Sequence, residues 1–80
     1  MQAHEVASLR KAAKRGDAEA QYWLGTCLQR GDGVAQDAAQ AVAWYRKAAE
    51  QGNTFAQVHL GNCLKIGEGV SQDAAQAVAW

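Results

Sequence analysis

The side chains that could do chemistry in this 80-residue chain are few. His59 and Cys63 stand four apart, so a helix would present both on one face, as a metal pair requires. Two donors are too few for a structural zinc site, which takes four. The corresponding pair 36 residues earlier is Trp23 and Cys27, so His59 occupies a position that varies, and it reads as a half-buried side chain at a helix seam. Gly31-Asp32-Gly33 and Gly67-Glu68-Gly69 resemble the opening of a dinucleotide-binding fingerprint, but the third glycine is missing and no strand precedes them. Asp32 and Asp37 do not have calcium-loop spacing. There is no plausible Ser–His–Asp set, no phosphate loop and no catalytic carboxylate pair. The sequence therefore implies a protein without enzymatic activity: no catalytic residue, no cofactor and no metal.

Composition narrows the class further. Apolar residues make up 49% of the chain, yet 18 of these 39 are Ala, against 5 Leu, 6 Val and 1 Ile. A core of that kind fills little volume and suits helices packed closely through small side chains. Pro is absent, and Ala, Gln, Glu, Lys and Arg are common, which is a helical composition. Eight basic residues balance eight acidic ones, leaving no positive field for nucleic acid or an anionic membrane. The cluster Arg10-Lys11-Ala12-Ala13-Lys14-Arg15 reads as a solvated helix end, where cations complement the dipole. No apolar run reaches the roughly 18 residues needed to cross a bilayer. The first residues lack the features of a secretory signal, so the expectation is a cytoplasmic protein, or a periplasmic one if the native start lies elsewhere.

Self-similarity decides the architecture. A shift of 36 places Arg10 on Arg46, Gly16 on Gly52, Gly25 on Gly61 and Trp44 on Trp80. Residues 9–44 and 45–80 share 23 identities, and Gln36 to Trp44 recurs unchanged as Gln72 to Trp80. A period of this length implies stacked supersecondary units, none able to bury its apolar face alone. Asp17 and Asn53 are N-cap candidates, each preceded by a glycine suited to a left-handed helix end. Ala20, Gln21, Leu24, Gly25 and Leu28 share one face of a helix running from Ala18 to about Arg30. The loop Gly31-Asp32-Gly33-Val34 follows, with Val34 turned to the core. Asp37 caps a second helix reaching about Gln51, whose inner face carries Ala38, Ala41, Val42, Trp44, Tyr45, Ala48 and Ala49. The second period repeats this with a helix over Phe55–Ile66, a loop from Gly67 and a cap at Asp73.

Leu24-Gly25-x-x-Leu28-x-x-Gly31-x-Gly33-Val34, then Asp37, Ala41, Trp44-Tyr45-x-Lys47-Ala48-Ala49-x-x-Gly52 and Ala56-Gln57, resemble the Sel-1-like repeat, a relative of the tetratricopeptide repeat. Leu28 and Leu64 stand where that family usually has Tyr. The resemblance implies an all-α fold, an α/α solenoid of antiparallel helix pairs. It also implies a protein-interaction scaffold, a role such repeats often fill in bacterial signalling or envelope processes. Some secreted relatives staple each helix pair with two cysteines, but here each repeat has one. Equivalent points in neighbouring units sit roughly 8–10 Å or more apart, beyond disulfide reach. Cys27 and Cys63 are thus expected as half-buried thiols acting as small apolar groups, which favours a reducing compartment.

The organisation expected is a degenerate N-terminal helix over 1–16, the second helix of a partial repeat, then one repeat over 17–52, and a second repeat over 53–80 cut within its second helix, the whole belonging to a longer array. In a right-handed stack the first helix of each pair lines the concave side. With Leu24 at the core, the wheel places Glu19, Tyr22, Thr26, Gln29 and Arg30 on the open face. Their counterparts are Phe55, Val58, Asn62, Lys65 and Ile66, and most differences between the repeats fall here. Exposed Phe55, Val58 and Ile66 beside Arg30 and Lys65 would form an apolar patch with a basic rim. The function expected is a non-enzymatic scaffold that binds a protein or peptide partner on this concave face. The alternative is a repeat segment accessory to a regulatory or enzymatic domain elsewhere in a larger protein.

Overall fold

The computed structural model describes residues 2–66, and they form four helices: α1 (Ala3–Lys14), α2 (Ala18–Arg30), α3 (Ala38–Glu50) and α4 (Thr54–Ile66). Each packs chiefly on the next in sequence, α1 on α2, α2 on α3 and α3 on α4, which makes an all-α solenoid. The expected loop from Gly67, the cap Asp73 and the copied block ending at Trp80 lie outside the described residues.

Helices α2, α3 and α4 begin, and α1, α2 and α3 end, where a side chain, a glycine or the following loop satisfies loose backbone groups. Asp17 Oδ1 accepts the Ala20 N–H at 3.1 Å, Asp37 Oδ1 that of Gln40 at 3.0 Å, and Asn53 Oδ1 that of Ala56 at 2.9 Å. Such caps contribute about 1 kcal/mol each. The turns before α2 and α4 are the same object. Gly16 and Gly52 adopt φ of +101° and +91° and donate to the carbonyls of Ala13 and Ala49. The next N–H, of Asp17 or Asn53, reaches the carbonyl of Ala12 or Ala48. This is the paired closure of a Schellman turn, and the residue that completes it also caps the following helix. Gln21 and Gln57 extend the joint, their Nε2 groups donating to the carbonyls of Ala13 and Ala49 at 3.0 and 3.1 Å.

The loop between α2 and α3 is tied just as fully. Asp32 N–H bonds to the Cys27 carbonyl and Asp37 N–H to that of Leu28, both at 2.9 Å. Gln36 Nε2 takes the Gln29 carbonyl at 2.7 Å. Three of the last α2 carbonyls therefore find partners in a loop of only seven residues. Val34 packs against the core from this loop, as its position suggests.

The core holds Val6, Leu24, Leu28, Val42, Tyr45, Leu60 and Leu64, with alanines and the thiols of Cys27 and Cys63 between them. Its largest member is Tyr45, with no accessible surface. Room for that ring comes from Gly25, where a Cβ would stand 2.8 Å from Tyr45 Cε1 and 3.2 Å from the Ala41 carbonyl oxygen. Trp44 packs against the core, as its inner-face position suggests, but only in part. It is half-buried at the margin of the core, with Lys47 Nζ 5.0 Å from its ring centre.

Candidate partner-binding surface

The first helices of the two repeats, α2 and α4, meet through aromatic rings. Tyr22 is the hub: its ring centre lies 5.1 Å from Trp23, 5.2 Å from His59, 5.9 Å from Phe55 and 6.0 Å from Tyr45. Trp23 and His59 stand at 63° and 73° to it, edge against face, a favourable arrangement for ring quadrupoles. His59 is half-buried, and its Nδ1 is 2.8 Å from the Phe55 carbonyl oxygen. A carbonyl only accepts, so Nδ1 carries a proton.

Not all ten sequence-derived positions lie open. Glu19, Arg30, Phe55, Val58, Asn62 and Lys65 are exposed, with Phe55 at 67% and Val58 at 59%. Tyr22 is half-buried and packs in part against the core, so it does have a packing role. Thr26 is buried, contrary to its expected place on the open face, and Gln29 is half-buried. The cause is Tyr45. Its hydroxyl lies 2.8 Å from Gln29 Oε1 and 3.2 Å from Thr26 Oγ1. Gln29 Nε2 in turn faces Cys63 Sγ at 3.8 Å, linking α2 to both α3 and α4. Burial pushes the Tyr45 phenol up to about 12, partly offset by the Thr26 hydrogen bond. Burial likewise raises the Cys27 thiol, assisted by the Asp32 carboxylate, which makes it a poor nucleophile. The side chain of Ile66 lies outside the described residues.

The wheel did not single out Trp23 and Asn53, yet the structure joins them to the site. With Glu19, Tyr22 and Phe55 they line a cavity of about 300 Å3 at the starts of α2 and α4. The sequence signal was present: position 23 changes from Trp to His between repeats, as face positions do. Among the described residues no group of three His, Cys, Asp or Glu could hold a metal ion, and no helix is long and apolar enough to cross a membrane.

A second-helix block that recurs in the sequence, first helices with differing faces, and a bonded joint repeated after 36 residues define a helical-repeat protein. The Sel1 repeat pattern matches residues 18–53 and again 54–80, and the chain belongs to the Sel1 repeat family. Proteins of this family are commonly protein-interaction modules and generally non-catalytic scaffolds. A Sel1 repeat protein from Oxalobacter formigenes is 44% identical, with a TM-score of 0.91 over 94% of this chain and 57% of its own. A protective antigen of uropathogenic Escherichia coli with an SLR fold is 51% identical, with a TM-score of 0.92 over 94% of this chain and 16% of its own. Cysteine-rich protein B of Helicobacter pylori is 27% identical, with a TM-score of 0.88 over 92% and 56%. This chain thus spans between about a sixth and somewhat over half of these structures. No protein of curated description matches it in sequence.

Proposed function

We propose that this chain is a non-enzymatic scaffold that binds a peptide or partner domain along the face of α2 and α4. The observation that carries this reading is the exposure of Phe55 and Val58, three positions apart on α4, with the Phe55 ring centre 5.9 Å from that of Tyr22. Burying either side chain against a partner contributes about 1.5–3 kcal/mol, while leaving both in water gains the fold nothing. Tyr22 and Phe55 are the anchors, because aromatic rings dominate binding energy at interface centres. Arg30 and Lys65 draw the acidic part of the ligand to one end and act mainly on association rate. Glu19 and Asn62 border the same face. Thr26 and Gln29 support it from behind by holding Tyr45.

A selection of displayed peptides on the immobilised 80-residue chain tests this. Peptides recovered should lose about tenfold or more in affinity with Phe55→Ala, and more when Tyr22→Ala is added. Phe55 is the cleaner site, since Tyr22 also packs inward. The double change Lys11→Ala with Glu50→Ala, at exposed second-helix positions, should leave binding as it was. Unaltered affinity in Phe55→Ala and in the double groove variant overturns the reading.

A further inference from the structure

We infer that the cavity between Tyr22, Trp23 and Phe55 is a cage for a cationic side chain, a lysine or arginine of the partner polypeptide. The partner rests on the scaffold reading above, while the cage rests on its own geometry. Tyr22 and Trp23 stand at 63° with ring centres 5.1 Å apart, Phe55 lies at 38° to Tyr22 with its ring centre 5.9 Å away, and all three rings line the one cavity. Ring faces attract cations, and a desolvated ammonium or guanidinium gains most. Glu19 stands at the rim and Asn53 completes the lining. A volume of about 300 Å3 is at the lower edge for ligand pockets, suited to one side chain more than to a larger molecule.

Charge points the same way. A second depression lies on the other side of Trp23, lined by Leu9, Ala12, Asp17, Glu19 and Ala20. No Lys or Arg among the described residues lines either one. The starts of α2 and α4 oppose a cation, since each helix end carries about half a positive charge. That opposition is outweighed. Asp17 and Glu19 bring two full negative charges to the start of α2, and the Ala20 and Ala56 N–H groups are already taken by Asp17 and Asn53.

The cage also gives the groove a polarity. Glu19 and Arg30 are eleven positions apart on α2, about 16 Å along the helix. An extended chain covers that in about five residues. The ligand favoured therefore has a basic residue about five positions from an acidic one.

The test is an NMR titration of the whole chain with acetyl-arginine-amide and with its uncharged isostere, acetyl-citrulline-amide. Arginine should bind about tenfold tighter, shifting the Trp23 indole N–H and the amides of Asn53 and Phe55. Glu19→Gln should weaken arginine several-fold and leave citrulline unchanged. Trp23→Ala should abolish the preference while the helical circular dichroism persists. Equal binding of the two probes, or indifference to Glu19→Gln, overturns the cage. Peptide selection separates this failure from that of the scaffold reading. Selected peptides that need Phe55 but carry no Lys or Arg defeat the cage alone. Arginine binding at Trp23 with no peptides selected supports the cage and defeats the scaffold.

Discussion

Tyr45 shows what a single phenol can organise. Its ring fills the space left by Gly25, and its one hydroxyl joins Thr26 and Gln29 across the helix pair. The protonated phenol is uncharged, and burial makes the folded chain hold that proton to about pH 12, against 10.0 in ordinary surroundings. The folded state thus binds more protons than the unfolded one between those values. The stability contributed is fully present below pH 10 and is lost as pH climbs through about 12. Tyr45→Phe should cost about 1 kcal/mol at pH 7 through the missing hydrogen bond. It should also lose less stability than the parent between pH 9 and 12, as read by urea denaturation at each pH. Parallel losses in the two proteins would show that Tyr45 is not the titrating group. Tyr45 was legible from the sequence as an inner-face residue. Thr26 and Gln29 were not, because a helical wheel records the angle of a side chain and not the reach of a hydroxyl arriving from another helix.

At the scale of the element, two kinds of glycine keep the helices in place, for opposite reasons. Gly16 has φ of +101° with open space around a would-be Cβ, so its replacement strains the backbone and touches nothing. Gly25 sits mid-helix, where alanine is the better helix former, yet its Cβ would overlap Tyr45 at 2.8 Å. Gly16→Ala should cost about 1–2 kcal/mol, the penalty of a left-handed residue. Gly25→Ala should cost more despite a propensity gain of about 1 kcal/mol, and should expose Tyr45. Thermal melts with tyrosine near-ultraviolet dichroism distinguish them: only Gly25→Ala should alter the tyrosine signal. A stabilised Gly25→Ala protein would mean that the ring has somewhere else to go. The helix limits themselves were readable to within a residue or two, since caps and glycines are local signals. The reach of Gln21 to the end of α1, and of Gln57 to the end of α3, was not. Those bonds couple two helices, and a hydrophobicity pattern does not contain them.

Over the whole molecule, the 36-residue shift made the solenoid legible before any helix was drawn, because repetition implies units that complete one another. The variable face was legible too, as the place where the copies differ. Its division into an aromatic hub, a cavity at one end and buried supports was not. That depends on how α4 lies against α2, which one repeat alone does not specify.

The seat of Tyr45 against Gly25 also acts as an address. A chain built from near-copies can assemble wrongly, since α1 and α3 share Arg-Lys-Ala-Ala at 10–13 and 46–49 and offer rival surfaces to the same helix. They differ one residue earlier, where α1 has Leu9 and α3 has Tyr45. Gly25 seats the Tyr45 ring, and a leucine in that seat would fill less of it, so the ring distinguishes α3 from α1 on that side of α2. Tyr45→Leu erases that mark. Refolded at high concentration, it should give a larger share of exchanged dimers than Tyr45→Phe, as read by light scattering after size exclusion. Equal shares would place the discrimination in the loop instead. In a protein made by copying, one ring that is not shared between neighbours does the proofreading that the copied residues cannot.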